Sequence, residues 1–375
     1  MAEGRPARCA LVRLVRRLGP NVVLATLALV ILEGLSSAAL LVWDVAETPR
    51  RGESYHTQYD AELGWVNIPG LHLPNMYGPG VSLTTSSRGF RSTREIAPDV
   101  APGRIRVICS GDSFTLGYGV DDDHTWCQAL EALDPRVETL NMGQGGYGID
   151  QAYLWFKRDA REIRHQLHLL AVITDDFIRL GDAERGGYGK PFLELQGERL
   201  VVRNTPVPKR AWFAPWITRH LESLRSLRSF ELARRLLERT QTASGKRTGP
   251  RRDRVTGQIV SKLLEDLVRI NQGKGSALVL VYLPYLPEHR AASAPGWERF
   301  LENESQRLRL LFISVADEFR ALPRAEAEAL FIPEGPGIFP GAGGHLSVRG
   351  NQFVARVVFA KLSALPAFHG AGEER

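Results

Sequence analysis

Residues 104–115 read RIRVICSGDSFT. The apolar centre of this stretch, Val107, Ile108 and Cys109, is continuous rather than alternating, and it stops at Ser110-Gly111. A short β-branched run closed by a glycine predicts a strand buried on both faces, ending in a turn that presents Ser113. Comparable runs rich in Val, Ile and Leu follow at 137–142, 167–174 and 277–284, and helical periodicity marks 123–133, 151–164, 255–272 and 348–362. Strands alternating with amphipathic helices predict an α/β domain whose parallel sheet is covered on both faces. Such sheets bind ligands at the carboxyl ends of their strands, so the residues placed there are the ones to read for chemistry.

Four motifs fall at those ends or in neighbouring loops. The first is Gly111-Asp112-Ser113, where a serine hydroxyl at a strand-to-loop turn is placed for nucleophilic attack. The competing reading is an ordinary turn in which Asp112 or Ser113 caps the next helix. The second runs Asn141-Met142-Gly143-Gln144-Gly145-Gly146-Tyr147-Gly148. Clustered glycines let backbone N–H groups approach a ligand and point at a developing oxyanion, although a merely tight turn has the same composition. The stretch lacks the lysine and hydroxyl residue of a phosphate-binding loop, which argues against a nucleotide. The third is Thr174-Asp175-Asp176-Phe177, and the fourth is Gly344-His345-Leu346-Ser347 ahead of the last helix. A lone histidine before a helix is more often a cap or a surface residue. Its joint placement with the other three is what marks it.

Together these residues resemble those of the SGNH/GDSL hydrolase family, over about 104–182 and 277–362. The resemblance implies a three-layer α/β/α, flavodoxin-like fold with Ser113 as nucleophile and the backbone N–H groups of Ser113 and Gly146 in the oxyanion hole. The family's Gly-x-Asn-Asp block falls on Ile173-Thr174-Asp175-Asp176, and its Asp-x-x-His block falls on Ala342-Gly343-Gly344-His345, making His345 the base. Leu346-Ser347 and Gly350 fit the passage into the family's last helix. The segments YDAELGW, SSRGFR and KPFLEL…PVP are similar to those of membrane-anchored bacterial members with an inserted cap.

Two positions depart from the family pattern. Asp175 stands where an asparagine donates to the oxyanion; an ionised carboxylate there repels it, and a protonated one needs a strongly raised pKa. Ala342 stands where an acid orients the histidine, which leaves a Ser113–His345 dyad, with a backbone carbonyl or another acid to hold the ring. Glu334 is close in sequence. The resemblance implies hydrolysis of acyl esters, O-acetyl above all, on a glycan or small molecule, with no cofactor and no metal. Two other readings stand beside it. One is a polysaccharide O-acyltransferase using the same serine; the other is a non-catalytic glycan-binding or assembly protein, motivated by Asp175 and Ala342.

The 375 residues carry 48 Lys and Arg against 42 Asp and Glu, a net charge of +6 that invites a nucleic-acid reading. The charge is regional. Residues 219–254 hold eleven basic residues against four acids, and Arg5, Arg8, Arg13, Arg16 and Arg17 precede the apolar run 21–43. That run is about 34 Å long as a helix, enough for a bilayer core. Its one charge, Glu33, costs roughly 2.5–3.5 kcal/mol at mid-membrane on insertion scales. The arginines before it, against Arg50 and Arg51 balanced by Asp44 and Glu47 after it, predict the N-terminus inside, and a run longer than a usual signal h-region points to an uncleaved anchor; a cleaved signal peptide and a buried core helix are the alternatives.

The expected organisation is a cytoplasmic basic segment (1–20), a single-pass anchor (21–43) and a linker with irregular lead-in (44–103), holding a short strand near 81–85. A hydrolase-like domain (104–182 and 254–365), an inserted cap with basic loop (183–253) and a flexible tail (366–375) complete it. This places the domain on the periplasmic or extracellular side of a bacterial cytoplasmic membrane, where nucleic acid is not an expected partner. Within the insertion, 191–204 (PFLELQGERLVVRN) predict a hairpin turning at Gln196-Gly197, Trp212, Phe213 and Trp216 pack the cap or line a sugar site, and 240–254 form a polar loop. Cys109 and Cys127 are read as buried packing residues or as a disulfide, and Asp121-Asp122-Asp123-His124 as an acidic turn rather than a metal site.

Overall fold

The computed structural model describes residues 5–47, 55–185, 188–208, 229, 232, 236, 250–286, 296–335, 338–339 and 341–369. It divides into two units, one of residues 1–48 with 210–247 and one of residues 49–209 with 248–375.

In the first unit, helix α1 (Arg5–Glu47) contains the apolar stretch Gly19–Leu40, 22 residues of mean hydropathy 2.1, long and apolar enough to cross a membrane. Its Glu33, Ser36 and Leu40 lie at i, i+3 and i+7 and are buried on one face. The backbone N–H of Ser229 donates to Glu33 Oε1 at 3.0 Å, and the Ser229 hydroxyl donates to the same oxygen. The single charge of the apolar run is therefore hydrogen-bonded within its unit, which reduces the cost of burying it. Trp212, Phe213, Trp216 and the basic loop up to residue 249 lie outside the described residues.

The second unit begins with four short strands: β1 (Thr57–Asp60), β2 (Gly64–Asn67), β3 (His72–Leu73) and β4 (Leu83–Thr84). Next come β5 (Ile105–Gly111), α2 (Ser113–Leu116), α3 (Trp126–Leu133), β6 (Val137–Gly143), α4 (Ile149–Asp159), β7 (Leu167–Val172) and α5 (Thr174–Ile178). The insertion opens with hairpins β8 (Glu184–Arg185) with β9 (Tyr188–Gly189), and β10 (Phe192–Gln196) with β11 (Arg199–Arg203). The chain returns through α6 (Pro250–Gln272), β12 (Ala277–Tyr282), α7 (Gly296–Leu308), β13 (Leu311–Ser314), α8 (Val315–Arg320), α9 (Arg324–Glu328) and α10 (Val348–Leu362).

Strands β5, β6, β7, β12 and β13 form one parallel sheet in the order β13-β12-β7-β5-β6. Numbered by appearance within that sheet, the order is 5-4-3-1-2, the doubly wound flavodoxin-like arrangement expected from the alternating runs. Alternate residues of the strands point to opposite faces. Ile108, Leu140 and Leu170 meet α4 and α6, while Val107, Cys109, Val137 and Leu169 meet α3 and α10. Burial on both sides is why these runs are continuous rather than alternating. The topological switch lies at β5, whose neighbours β6 and β7 leave it toward opposite edges, so the crevice opens beside Gly111.

The sequence does not mark β13, four residues long, or α7 before it. Helix α6 starts at Pro250, inside the stretch expected to be a loop: a proline opens a helix without losing a needed N–H, and Asp253 favours the positive N-terminal end. Residues 366–369 of the stretch expected to be a flexible tail form a helical turn, in which Phe368 is buried and its carbonyl accepts from Arg136 Nη1 at 3.1 Å. Cys109 and Cys127 form a disulfide that ties β5 to α3.

Candidate active site

The end of β5 is shaped by Asp112. Its side chain accepts the backbone N–H of Phe114 at 2.9 Å, capping α2 and setting Ser113 as the first helical residue. A side chain at Gly143, the last residue of β6, would collide with the backbone of Leu116, so only glycine lets the second strand end so close to the serine turn. The chain then turns through Gly146 at φ +74°, a conformation that L side chains rarely adopt.

Trp65 of β2 pins this loop from the outside. Its indole N–H donates to Gly145 O at 2.9 Å, and its own carbonyl accepts the hydroxyl of Tyr147 at 2.5 Å. Trp65, Ser113, Gly146, Asp175, Tyr188 and His345 share the wall of a cavity of about 340 Å³ at the carboxyl end of the sheet.

His345 reaches the cavity from the loop before α10. Its carbonyl accepts Ile332 N–H at 2.7 Å and its own N–H donates to Ala342 O at 3.1 Å, while Phe331 and Leu346 bridge alongside. The imidazole packs against Phe114 and Tyr118, with ring centroids 4.7 and 5.2 Å away, and Nε2 lies 2.8 Å from Ser113 Oγ. Enclosure among these rings lowers its pKa to about 4; Asp112 opposes that shift, the Arg179 cation adds to it, and the carbonyls of Ala342 and Gly341 oppose it. Among the described residues Nδ1 has no hydrogen-bond partner, and Glu334, exposed at the cavity rim, makes no hydrogen bond to the ring. Ala342 is buried in an apolar cluster with Leu83, Leu116 and Tyr118, so the position where the family pattern has its acid carries no carboxylate.

Asp175 lies on the cavity wall, one residue into α5, with Arg179 Nη2 3.5 Å from its Oδ2. Its neighbour Asp176 is buried, accepts the N–H of Ile173 at 3.0 Å and takes Arg179 Nη1 at 2.9 Å. Arg179 Nη1 also meets Asp112 at 3.1 Å and the carbonyl of Tyr147 at 2.7 Å. Burial and the nearby Asp112 carboxylate push Asp176 well above the usual carboxylate range. One guanidinium thus joins the serine turn, the glycine loop and α5.

All four sequence-marked positions, Ser113, Gly146, Asp175 and His345, line one cavity, and Ser113 and His345 are within hydrogen-bond reach. The sequence did not mark Trp65, Arg179 or Tyr188. Arg179 carries a faint signal, its i, i+4 spacing from Asp175; Trp65 lies in the YDAELGW segment, where nothing local ties it to the glycine loop. The acidic stretch 121–124 serves the scaffold: Asp121 accepts from Ser82, and Asp122 from Ser82, Thr84 and Arg91.

No family model matches the chain, and no curated protein does. Solved structures similar to it include a member of the lipolytic protein G-D-S-L family from Veillonella parvula DSM 2008, 13% identical over 70% of this chain and 100% of that one, with a TM-score of 0.39. An acetyl xylan esterase is 14% identical over 69% of this chain and 100% of that one, with a TM-score of 0.41. A point mutant of an acetyl-xylooligosaccharide esterase from Geobacillus Stearmophilus is similar at 13% identity, over 71% and 97% of the two chains, with a TM-score of 0.40.

Proposed function

We propose that the protein is a membrane-anchored serine esterase that removes acyl groups, O-acetyl above all, from a glycan or small ester outside the cytoplasm. The observation that carries this reading is the 2.8 Å contact between Ser113 Oγ and His345 Nε2 in a cavity that also holds Gly146. His345 Nε2 takes the Ser113 proton as Oγ attacks the ester carbonyl, and the backbone N–H groups of Ser113 and Gly146 receive the oxyanion. Collapse of the tetrahedral intermediate expels the alcohol, which takes the proton back. Water then repeats the sequence on the acyl-enzyme. Aromatic walls from Trp65, Tyr188 and Tyr285 suit a sugar ring, and the arginine-rich start of the chain, with the Cys109–Cys127 disulfide, supports an extracytoplasmic location.

A non-catalytic binding role is favoured by one feature, the absence of an acid behind His345. Losing the orienting acid costs up to about 10⁴-fold in rate in related triads, so a weak esterase is the expected active form. Labelling with a fluorophosphonate probe decides between the two. Wild type is expected to label and Ser113→Ala is not; equal labelling of both removes the catalytic reading. Acyl transfer to an added saccharide in excess of hydrolysis would instead identify an O-acyltransferase.

A further inference from the structure

Asp175 poses a problem for the proposed esterase, since a carboxylate in the oxyanion site opposes the charge that develops there. Arg179 answers it. Its side chain is only 8% exposed, yet it lines the same cavity as Ser113, Gly146, Asp175 and His345. Nη1 carries every hydrogen bond the guanidinium makes among the described residues, to Asp112, Tyr147 O and Asp176. Nη2 makes none; its nearest acceptor is Asp175 Oδ2 at 3.5 Å, beyond a good charge-assisted bond. A guanidinium stays protonated in a protein, so Nη2 keeps two N–H groups on a side chain that lines the cavity. Among the described residues they meet only the Asp175 carboxylate, as an ion pair and not as a hydrogen bond.

We propose that Arg179 is a catalytic residue of this site: Nη2 donates to the ester oxyanion in place of the asparagine amide, and Asp175 is the positioning residue that aims it. The proposal rests on the esterase reading. As the bond between Ser113 Oγ and the carbonyl carbon forms, the carbonyl π pair moves onto oxygen and the serine proton moves to His345. The oxyanion is held by the N–H groups of Ser113 and Gly146 and by Arg179 Nη2. When the carbonyl re-forms, the bond to the leaving oxygen breaks and that oxygen takes the proton from His345. Arg179 keeps its protons throughout. The carboxylate of Asp175 is then the counterion of a donor rather than an isolated charge facing the oxyanion. The same geometry assigns Nη1 to fixing the guanidinium plane, through the serine turn on one side and the glycine loop on the other.

The test uses the full chain in detergent with p-nitrophenyl acetate, comparing wild type, Arg179→Lys, Asp175→Asn and the double variant. Lysine retains a cation for the buried acids but loses the fork. Arg179→Lys is expected to lower kcat about 100-fold with KM changed less than about threefold, the pattern of a lost oxyanion donor. Asp175→Asn restores an amide donor and is expected to return at least about tenfold of kcat to the Arg179→Lys protein. Retention of kcat within about threefold in Arg179→Lys overturns the proposal, as does a loss that Asp175→Asn leaves unrepaired. Should Arg179→Lys fail to fold, Asp175→Ala on the cavity wall decides by sign. A fall of about tenfold in kcat at unchanged melting temperature supports positioning, whereas a rise or no change shows that the carboxylate acts only as an opposing charge. Fluorophosphonate labelling of wild type against Ser113→Ala separates the failures: equal labelling defeats the esterase reading, while serine-dependent labelling with kcat indifferent to Arg179 defeats this proposal alone.

Discussion

In the proposed esterase His345 is the base; among the described residues its Nδ1 has no hydrogen-bond partner, and burial determines its pH behaviour. Burial holds its pKa at about 4, below the ordinary value of 6.5. The neutral ring is the form that accepts the Ser113 proton, so kcat/KM is expected to rise with pH through about 4 and stay level from 5 to 8. A pH–rate profile checks this; an acid limb at 6.5 or above would show that burial does not set the ring's titration in the free protein. A weak base also transfers protons less effectively, in keeping with slow catalysis. A second serine–histidine pair shows what such a contact means without a cavity. Ser110 Oγ lies 2.6 Å from His168 Nε2, but both are fully buried, His168 stacks on Phe156, and its Nδ1 meets Asn271. Ser110→Ala is expected to leave esterase activity unchanged. Ser113 and His345 are legible in sequence because the fold places one at a strand end and the other in the loop before the last helix, whereas Ser110 and His168 sit within strands. The absent acid is equally legible at Ala342, but Arg179 is not, because its partners come from 67, 32 and 3 residues away.

At the scale of elements, the sheet was readable and the lead-in was so only at β4, which falls within the strand expected near 81–85. Strands buried on both faces leave continuous apolar runs, while β1 to β3 are two to four residues long and leave no period to detect. Residues 57–95 nevertheless pack into the domain, with Trp65 and Phe90 in the main core and Arg91 buried beside them in sequence. Arg91 is fully buried: Nε donates to Asp122, Nη1 to the carbonyls of Leu116 and Gly117, and Nη2 to those of Ser82 and Val120. The carbonyls of Leu116 and Gly117 end the helix that begins at Ser113, so a lead-in residue fixes the far side of the serine turn. Arg91→Met leaves Asp122 and four carbonyls without this donor, at a cost of roughly 3–5 kcal/mol. Thermal unfolding should drop by about 10 °C for a domain of this size. At 20 °C, kcat should fall more than KM changes, because the serine turn loses its anchor. A drop under about 2 °C would mean that water replaces the guanidinium at little cost.

At the scale of the whole molecule, the basic charge, the apolar helix and the cysteines bear on one part of the proposal, the location of the domain outside the cytoplasm. The five arginines of residues 5–17 precede the apolar stretch Gly19–Leu40, and the domain follows it. Cys9 lies on the arginine side, whereas Cys109 and Cys127 lie in the domain, joined across 18 positions. A disulfide closing a loop of that size stabilises by about 3 kcal/mol in the chain-entropy account, and it persists only where thiols are oxidised. If the arginines hold the N-terminus in the cytoplasm, the two ends of the anchor face different redox conditions and one chain carries both states. Protein denatured from membranes with free thiols trapped should therefore take one maleimide–polyethylene glycol adduct, at Cys9, before reduction and three after it. Three adducts without reduction would put the domain in a reducing compartment and remove the extracytoplasmic assignment. Replacing both Cys109 and Cys127 by alanine should lower the melting temperature by about 6–12 °C while Ser113 still labels, since the bond braces β5 against α3 and touches no reacting atom. A loss of labelling in the folded double variant would instead show that the serine turn depends on that brace.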